Sequence, residues 1–246
     1  MKKRKLKIPV KTIIIILFSL AAIYFSLSSL SGLLWRSEYF NIRVIRTNNK
    51  NIDTSYLLGN NIFALNLNKE AQKILAMYPN CHKIRLIRYL PNAISVVVSE
   101  RRPIAYVMLY RYFAVDGEAV LFNLDNNPLN PNLPIIMGLQ TKLVGVKAGR
   151  NYSHVKELVL CVDLIKKIAS LEGLKGRIIK KIDVSAPENL SFYILENIEI
   201  KIGQTNIDHR LQLLNSILAQ LKSGAAKLKY IDLRFKEPVI KYKYEK

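Results

Sequence analysis

Between Thr12 and Trp35 the chain carries 24 consecutive residues without a formal charge, TIIIILFSLAAIYFSLSSLSGLLW. The eleven residues before them hold six cations, Lys2, Lys3, Arg4, Lys5, Lys7 and Lys11, and no acid. Roughly 20 apolar helical residues suffice to cross a hydrocarbon core about 30 Å thick, so the run predicts one transmembrane helix over 12–35 with some tilt. Cations are retained on the cytoplasmic side, which predicts a cytoplasmic tail over 1–11 and an exported remainder, with Trp35 and Arg36 at the outer interface. A cleaved signal peptide fits less well, because its apolar stretch usually spans only about 7–15 residues.

Past the span the periodicity changes. Phe40, Ile42 and Val44 alternate with Asn41 and Arg43, which predicts a half-buried strand. Asp53 is placed to cap a short helix that Gly59 ends, and Asn68 to cap a longer one. In that longer helix Ala71, Ile74, Leu75 and Tyr78 share a face, and Pro79 stops it. Ile84 and Leu86 alternate with Lys83 and Arg85, Ile94, Val96 and Val98 alternate in turn, and Pro91 and Asn92 lie between, predicting a hairpin. The order over residues 38–103 is β-α-α-β-β.

A second domain, 104–246, is predicted from the change of pattern near Pro103. The YVMLYRYFAVDGEAVLF stretch has a hairpin turn at Asp116 and Gly117, and a loop rich in Asn and Pro follows from Asn123 to Pro134. Ser153 is placed to cap a helix carrying Val155, Leu158, Val159, Val162 and Ile165 on one side, and Asp208 another carrying Leu211, Leu214, Leu218 and Leu221. Strands are predicted around Ile178–Val184, Leu190–Leu195 and Ile198–Ile202, the last two turned by Glu196 and Asn197. A final strand, Lys229–Phe235, puts Ile231, Leu233 and Phe235 on one face and Tyr230, Asp232 and Arg234 on the other, and being last it is placed at a sheet edge. The fold class is α+β: a single N-terminal transmembrane helix, a β-α-α-β-β domain, and a mixed, mainly antiparallel β domain with two helices.

Charge sharpens the choice of partner. The formal net charge is +20, and with the six tail cations set aside 32 basic residues face 18 acidic ones. Such a surplus is a nucleic-acid footprint in other settings. Here the topology places it outside the cell, where anionic headgroups and wall polymers are the polyanions at hand, so no nucleic-acid partner is expected. Cys81 and Cys161 fall in the exported region, where disulfides persist, but the sequence does not place them within bonding distance and they read as two buried thiols. His82, His154 and His209 show no paired-ligand spacing and there is no CxxC, so no metal and no cofactor is expected. Glu100 beside Arg101 and Arg102 reads as a structural ion pair. No nucleophile elbow, P-loop or dinucleotide motif occurs, which points to a binder and not an enzyme.

The strand FNIRVIRT after the span, the GNNIFALNL segment entering a helix that ends in YP, and the hairpin RYLPNAISVVVSERRPIAYV resemble the polypeptide-transport-associated (POTRA) module of the bacterial cell-division family FtsQ, also called DivIB. YFAVDGEAVLF, LPIIMG and KYIDLRFKEPVIKY resemble that family's second, β domain. The loop TNNKN departs from the family's usual V-x-G-N turn. The resemblance implies a non-enzymatic scaffold in the cell inner membrane at the division septum, single-pass, with its amino terminus in the cytoplasm and its other domains on the periplasmic side. It implies binding of the bitopic proteins FtsB and FtsL, and of other division proteins through the POTRA module. Carried onto this chain, the partner-binding residues are Tyr230, Ile231, Asp232, Leu233, Arg234 and Phe235, with Lys241 and Tyr242 as extensions. An outer-membrane assembly or secretion component bearing the same module, and a membrane-tethered wall hydrolase, are the alternatives.

Overall fold

The structure, a computed structural model, describes residues 9–124, 128–171, 174, 178–186, 188–194, 197–220 and 228–243. They cluster into two compact units: one takes the chain up to Leu75 together with Lys83–Ser99, the other Ala76–His82 together with the chain from Glu100 onward.

Helix α1 covers Val10–Arg36 and is the one helix among the described residues long and apolar enough to cross a membrane. Most of its large apolar side chains that are described, among them Ile14, Phe18, Tyr24 and Phe25, face outward. A helix that is apolar around its circumference and uncovered by protein is stable only in lipid. The cationic tail, residues 1–8, lies outside the described residues.

The rest of the first unit is a three-stranded sheet with β1 (Val44–Thr47) beside β3 (Ala93–Glu100) and β2 (Cys81–Tyr89) on the far side of β3. The predicted hairpin is present, and Ile84, Leu86, Ile94, Val96 and Val98 all point inward. Three expectations change. The strand begins only at Val44, whose side chain is exposed, because Glu38–Phe40 forms a 3-10 turn and Ile42 is the residue that enters the core. The first helix is a single 3-10 turn, Ser55–Leu57, since the Asp53 carboxylate accepts from the backbone and hydroxyl of Ser55 and closes a local turn in place of a cap. Helix α2 starts at Leu67, and Asn66, not Asn68, caps it by accepting from the Lys69 amide at 3.1 Å. Of its predicted face, Ile74 is fully buried while Ala71, Leu75 and Tyr78 are half-buried.

The unusual TNNKN loop has a use. Asn48 both donates to the Val98 carbonyl and accepts from the Val98 amide, each at 2.8 Å. A side chain thus supplies the next rung of the β1–β3 ladder after the backbone has turned away.

In the second unit ten strands form one sheet among the described residues. Its central part is parallel: β9 (Ile179–Ala186) pairs β7 (Ile135–Met137), which pairs β4 (Ala105–Met108). On one side β4, β5 (Tyr112–Val115), β6 (Val120–Phe122) and β8 (Arg150–Asn151) pair antiparallel. On the other, β9 continues through β10 (Asn189–Ile194), β11 (Glu199–Lys201), β12 (Leu228–Asp232) and β13 (Val239–Tyr242). The main core joins inward side chains of the sheet, such as Phe113, Ile136, Ile182 and Phe192, to Leu158, Cys161 and Leu164 of α3 (Lys156–Ala169) and Leu211, Leu214 and Leu218 of α4 (Ile207–Gln220). Tyr106, Ala114 and Phe122 form a smaller cluster with Leu124, Leu129 and Leu133 of the Asn- and Pro-rich loop.

Both predicted helices exist, with shifted caps. Val155 precedes α3 with no side-chain cap, and Ser153 lies two residues before it in a turn that its amide closes on the Asn151 side-chain oxygen. Val159 faces outward, and the buried stripe continues through Cys161 instead. Asp208 lies inside the first turn of α4 and pairs across to Lys167 at 2.7 Å. The Asp116 turn is as expected: its carboxylate accepts from the Glu118 and Val120 amides. Leu195, Glu196 and Leu221 lie outside the described residues. Cys81 and Cys161 are free and buried, and burial pushes both thiols above their ordinary value.

Candidate partner-binding edge

Strand β12 sits one place in from the end of the sheet. It runs parallel to β11, pairing Glu199 with Tyr230, Ile200 with Ile231 and Lys201 with Asp232, and antiparallel to β13, pairing Tyr230 with Lys241, Ile231 with Ile240 and Asp232 with Val239. Period two then sorts the side chains. Ile200, Ile231 and Ile240 form an inward row, with Ile240 only half-buried at the margin. Tyr230 stands on the outer face, and the Lys201 ammonium lies 4.9 Å from its ring centre.

The sequence predicted Lys229–Phe235 as the last strand, at the edge. The strand stops at Asp232, and β13 takes the edge. The cause is local. The Asp232 carboxylate accepts from the Arg234 amide at 3.1 Å, from its Nε at 2.9 Å and from its Nη2 at 2.6 Å, a side chain folded back on its own backbone that leaves no extended conformation for residues 233–235. Leu233 remains in the core with its amide on the Lys201 carbonyl, but Phe235, assigned to the core by alternation, is 60% exposed.

The same arginine organises what lies beside the edge. Its Nη1 donates to the Asn189 side-chain oxygen, and its carbonyl accepts from Arg210 at 3.1 Å, while Arg210 also donates to the Ile202 carbonyl at 2.6 Å. Gly203 makes this approach possible: with φ at +67°, a Cβ there would sit 2.8 Å from Arg210 Nη1. The result is a recess of about 520 Å³ lined by Glu188, Asn189, Gly203, Gln204, Thr205, Arg210, Arg234 and Phe235. Gln204 Nε2 is buried in it without a hydrogen-bond partner among the described residues.

Asp232 is nearly inaccessible. Burial alone would raise its pKa, but the hydrogen bonds from Arg234 and the Arg234 and Lys201 charges outweigh burial and hold the carboxyl below the usual range. It therefore serves as an internal tie between β12 and Arg234.

Thus the eight residues singled out from sequence separate. Tyr230, Arg234, Phe235, Lys241 and Tyr242 are accessible around the edge, whereas Ile231, Asp232 and Leu233 are buried. The side of β13 away from β12 has no strand against it among the described residues. Val239 and Tyr242 are exposed along it, and Lys236, Lys241 and Lys243 stand in or beside it, a cationic guard of the kind that edge strands carry against promiscuous pairing. Sequence reasoning missed Val239 and Ile240 as strand residues, although two β-branched residues after Pro238 signal a strand; Asn189 and Arg210 carried no local signal.

Three potential ligand groups, of His82, Asp116 and Glu118, come within 4.8 Å of one another. They do not make a metal centre, because Asp116 is already occupied by a cation: Arg101 Nη1 lies 2.6 Å from its Oδ2, and its other oxygen accepts two amides.

Comparison with known proteins fits this architecture. Residues 105–234 match the model of the family described as cell division protein FtsQ/DivIB, C-terminal. The chain is 30% identical over 213 residues to the cell division protein DivIB of Clostridium acetobutylicum, covering 80% of this chain and 81% of that one. It is 23% identical to the cell division protein FtsQ of Geotalea daltonii, over 74% of this chain and 65% of that one, and 26% identical to FtsQ of Neisseria gonorrhoeae, over 74% and 67%. A membrane-length apolar helix, a mainly sheet second unit and these matches together establish that the chain belongs to the FtsQ/DivIB family of cell division proteins.

Proposed function

We propose that this chain is a non-enzymatic docking scaffold of the division machinery, held in the inner membrane at the septum with its amino terminus in the cytoplasm and both folded units on the periplasmic side. The first unit is a POTRA-type module that receives other division proteins. The second receives FtsB- and FtsL-type bitopic partners and links them to septal wall synthesis. The observation that carries the reading is the open edge of β13. A partner segment added there as a strand gains main-chain hydrogen bonds for affinity, while the accessible side chains of Tyr230, Phe235, Val239 and Tyr242 select it.

The decisive variant is Tyr242→Pro, which removes an amide. The Leu233 amide points to β11, so Tyr230 and Asp232 turn their backbone groups to Lys241 and Val239, and the alternate residue Tyr242 turns its amide to the open edge, where a strand tolerates proline. Capture of an FtsB-type outer segment by the full chain in detergent is expected to fall at least tenfold, with circular dichroism unchanged. Undiminished capture by a folded variant would remove the edge from the mechanism. Depletion of the protein is expected to give filaments lacking completed septa, and normal division in the absence of a second copy would refute the scaffold role.

A further inference from the structure

The outer end of α1 is not followed by a flexible tether. A single residue, Ser37, separates Arg36 from the 3-10 turn at Glu38, and the Ser37 amide still bonds to the Leu33 carbonyl. The Asn61 side-chain amide donates to the carbonyls of Leu34 at 3.0 Å and Ser37 at 3.3 Å, satisfying acceptors that a helix end leaves open. The segment around Asn61 is therefore clasped to the last turn of the membrane helix. Since Trp35 ends the uncharged run, this joint lies at headgroup depth.

A recess of about 470 Å³ opens there, lined by Trp35, Phe63, Leu65, Leu86, Asn68 and Arg88 among others. Phe63 stacks edge-on against Phe40 at 5.1 Å, and Phe40 against Tyr39 at 5.2 Å, so aromatic rings continue outward from Trp35 as an interfacial belt. Among the described residues Arg88 supplies the only charge in the lining, and none of them there is a carboxylate. Its guanidinium is aimed by two bonds, Nε to the Ile62 carbonyl at 2.8 Å and Nη2 to the Leu65 carbonyl at 2.7 Å. A guanidinium has five N–H donors, so anchoring by two leaves the group oriented and still charged. A permanent cation in a neutral recess with aromatic and aliphatic walls, set at the surface of the bilayer, has the chemistry of a phosphodiester headgroup site whose glycerol and upper acyl carbons lie on Trp35 and Phe63.

We propose that this recess binds the headgroup of an anionic phospholipid from the leaflet that surrounds Trp35, with Arg88 on the phosphate. Such a lipid would fix the height and facing of the first unit above the membrane.

Trp35 is the only tryptophan in the chain, so its fluorescence reports this site directly. The full chain is placed in nanodiscs of phosphatidylcholine containing phosphatidylglycerol, with bromine on the acyl chains of one lipid or the other. Brominated phosphatidylglycerol is expected to quench Trp35 as though enriched about fivefold over its bulk fraction, the factor for one cation facing an anionic lipid. Arg88→Gln removes the enrichment. Because Arg88 also anchors two carbonyls, Asn68→Asp is the companion variant: it adds an opposing charge to the recess while leaving both bonds in place, and it too abolishes enrichment. Lys50→Gln, outside the recess, retains it. Equal quenching by the two lipids in the unaltered chain, or enrichment that survives Asn68→Asp, overturns the proposal. In lipid-free neutral detergent, inorganic phosphate leaves Trp35 emission unchanged; a saturable shift would mark a site for free phosphate and overturn the lipid assignment.

Discussion

Arg101 Nη1 sits 2.6 Å from Asp116 Oδ2, and neither side chain exposes more than a tenth of its surface. The pair joins the residue after β3 to the turn between β5 and β6, and Arg101 Nε is left buried without a hydrogen-bond partner among the described residues. Removing one member of such a pair strands the other charge in a poorly solvating interior. Asp116→Asn is expected to lower unfolding stability by about 3 kcal/mol, measured by urea titration of the full chain in detergent. Replacing both residues by apolar ones does not restore the loss, because the Glu118 and Val120 amides also depend on that carboxylate.

Gly138 follows β7 with φ at +93°, and a Cβ there would lie 2.3 Å from the backbone nitrogen of Ser185 in β9. Two backbones meet where only a hydrogen fits. Gly138→Ala is expected to cost at least about 2 kcal/mol, from the left-handed conformation and the forced separation together, visible as a lowered unfolding midpoint.

Asp232 gives a pH signature. Its folded pKa lies below the ordinary 3.8, so its contribution is present above that value and is lost as pH falls through the depressed folded pKa. Unfolding stability should therefore drop below about pH 4 more steeply in the parent chain than in Asp232→Asn. Parallel slopes in the two proteins would show that the tie to Arg234 contributes nothing.

Phe235 and Ile231 test the corrected end of β12. Phe235→Asp is expected to change stability by no more than about 0.5 kcal/mol, as exposed sites do, whereas Ile231→Asp places a charge in the core and prevents folding. Thermal scans of the two variants separate them.

The parts of the fold legible in sequence were those written in local periodicity. The 84–98 hairpin showed because Ile84, Leu86, Ile94, Val96 and Val98 alternate cleanly, and α4 because Leu211, Leu214 and Leu218 recur at helical spacing. Errors gathered where a short polar side chain had two possible uses. Asp53 and Asp232 closed turns on neighbouring residues, Asn151 did the same with Ser153 ahead of α3, and each choice moved an element boundary. The rank of β12 in the sheet was not readable at all, because it follows from pairing with β11, where Tyr230 meets Glu199, 31 residues earlier. Hence the division of Tyr230–Phe235, Lys241 and Tyr242 into buried and accessible side chains required the fold.

Asn61 has a mechanical consequence. With one residue between α1 and the next turn, and that junction clasped by two hydrogen bonds, the span can transmit torque. A neighbouring helix that rolls α1 in the bilayer turns the first unit by the same angle, and one residue inserted in α1 would swing that unit through about 100°. The membrane segment is an axle whose rotation the first unit reads.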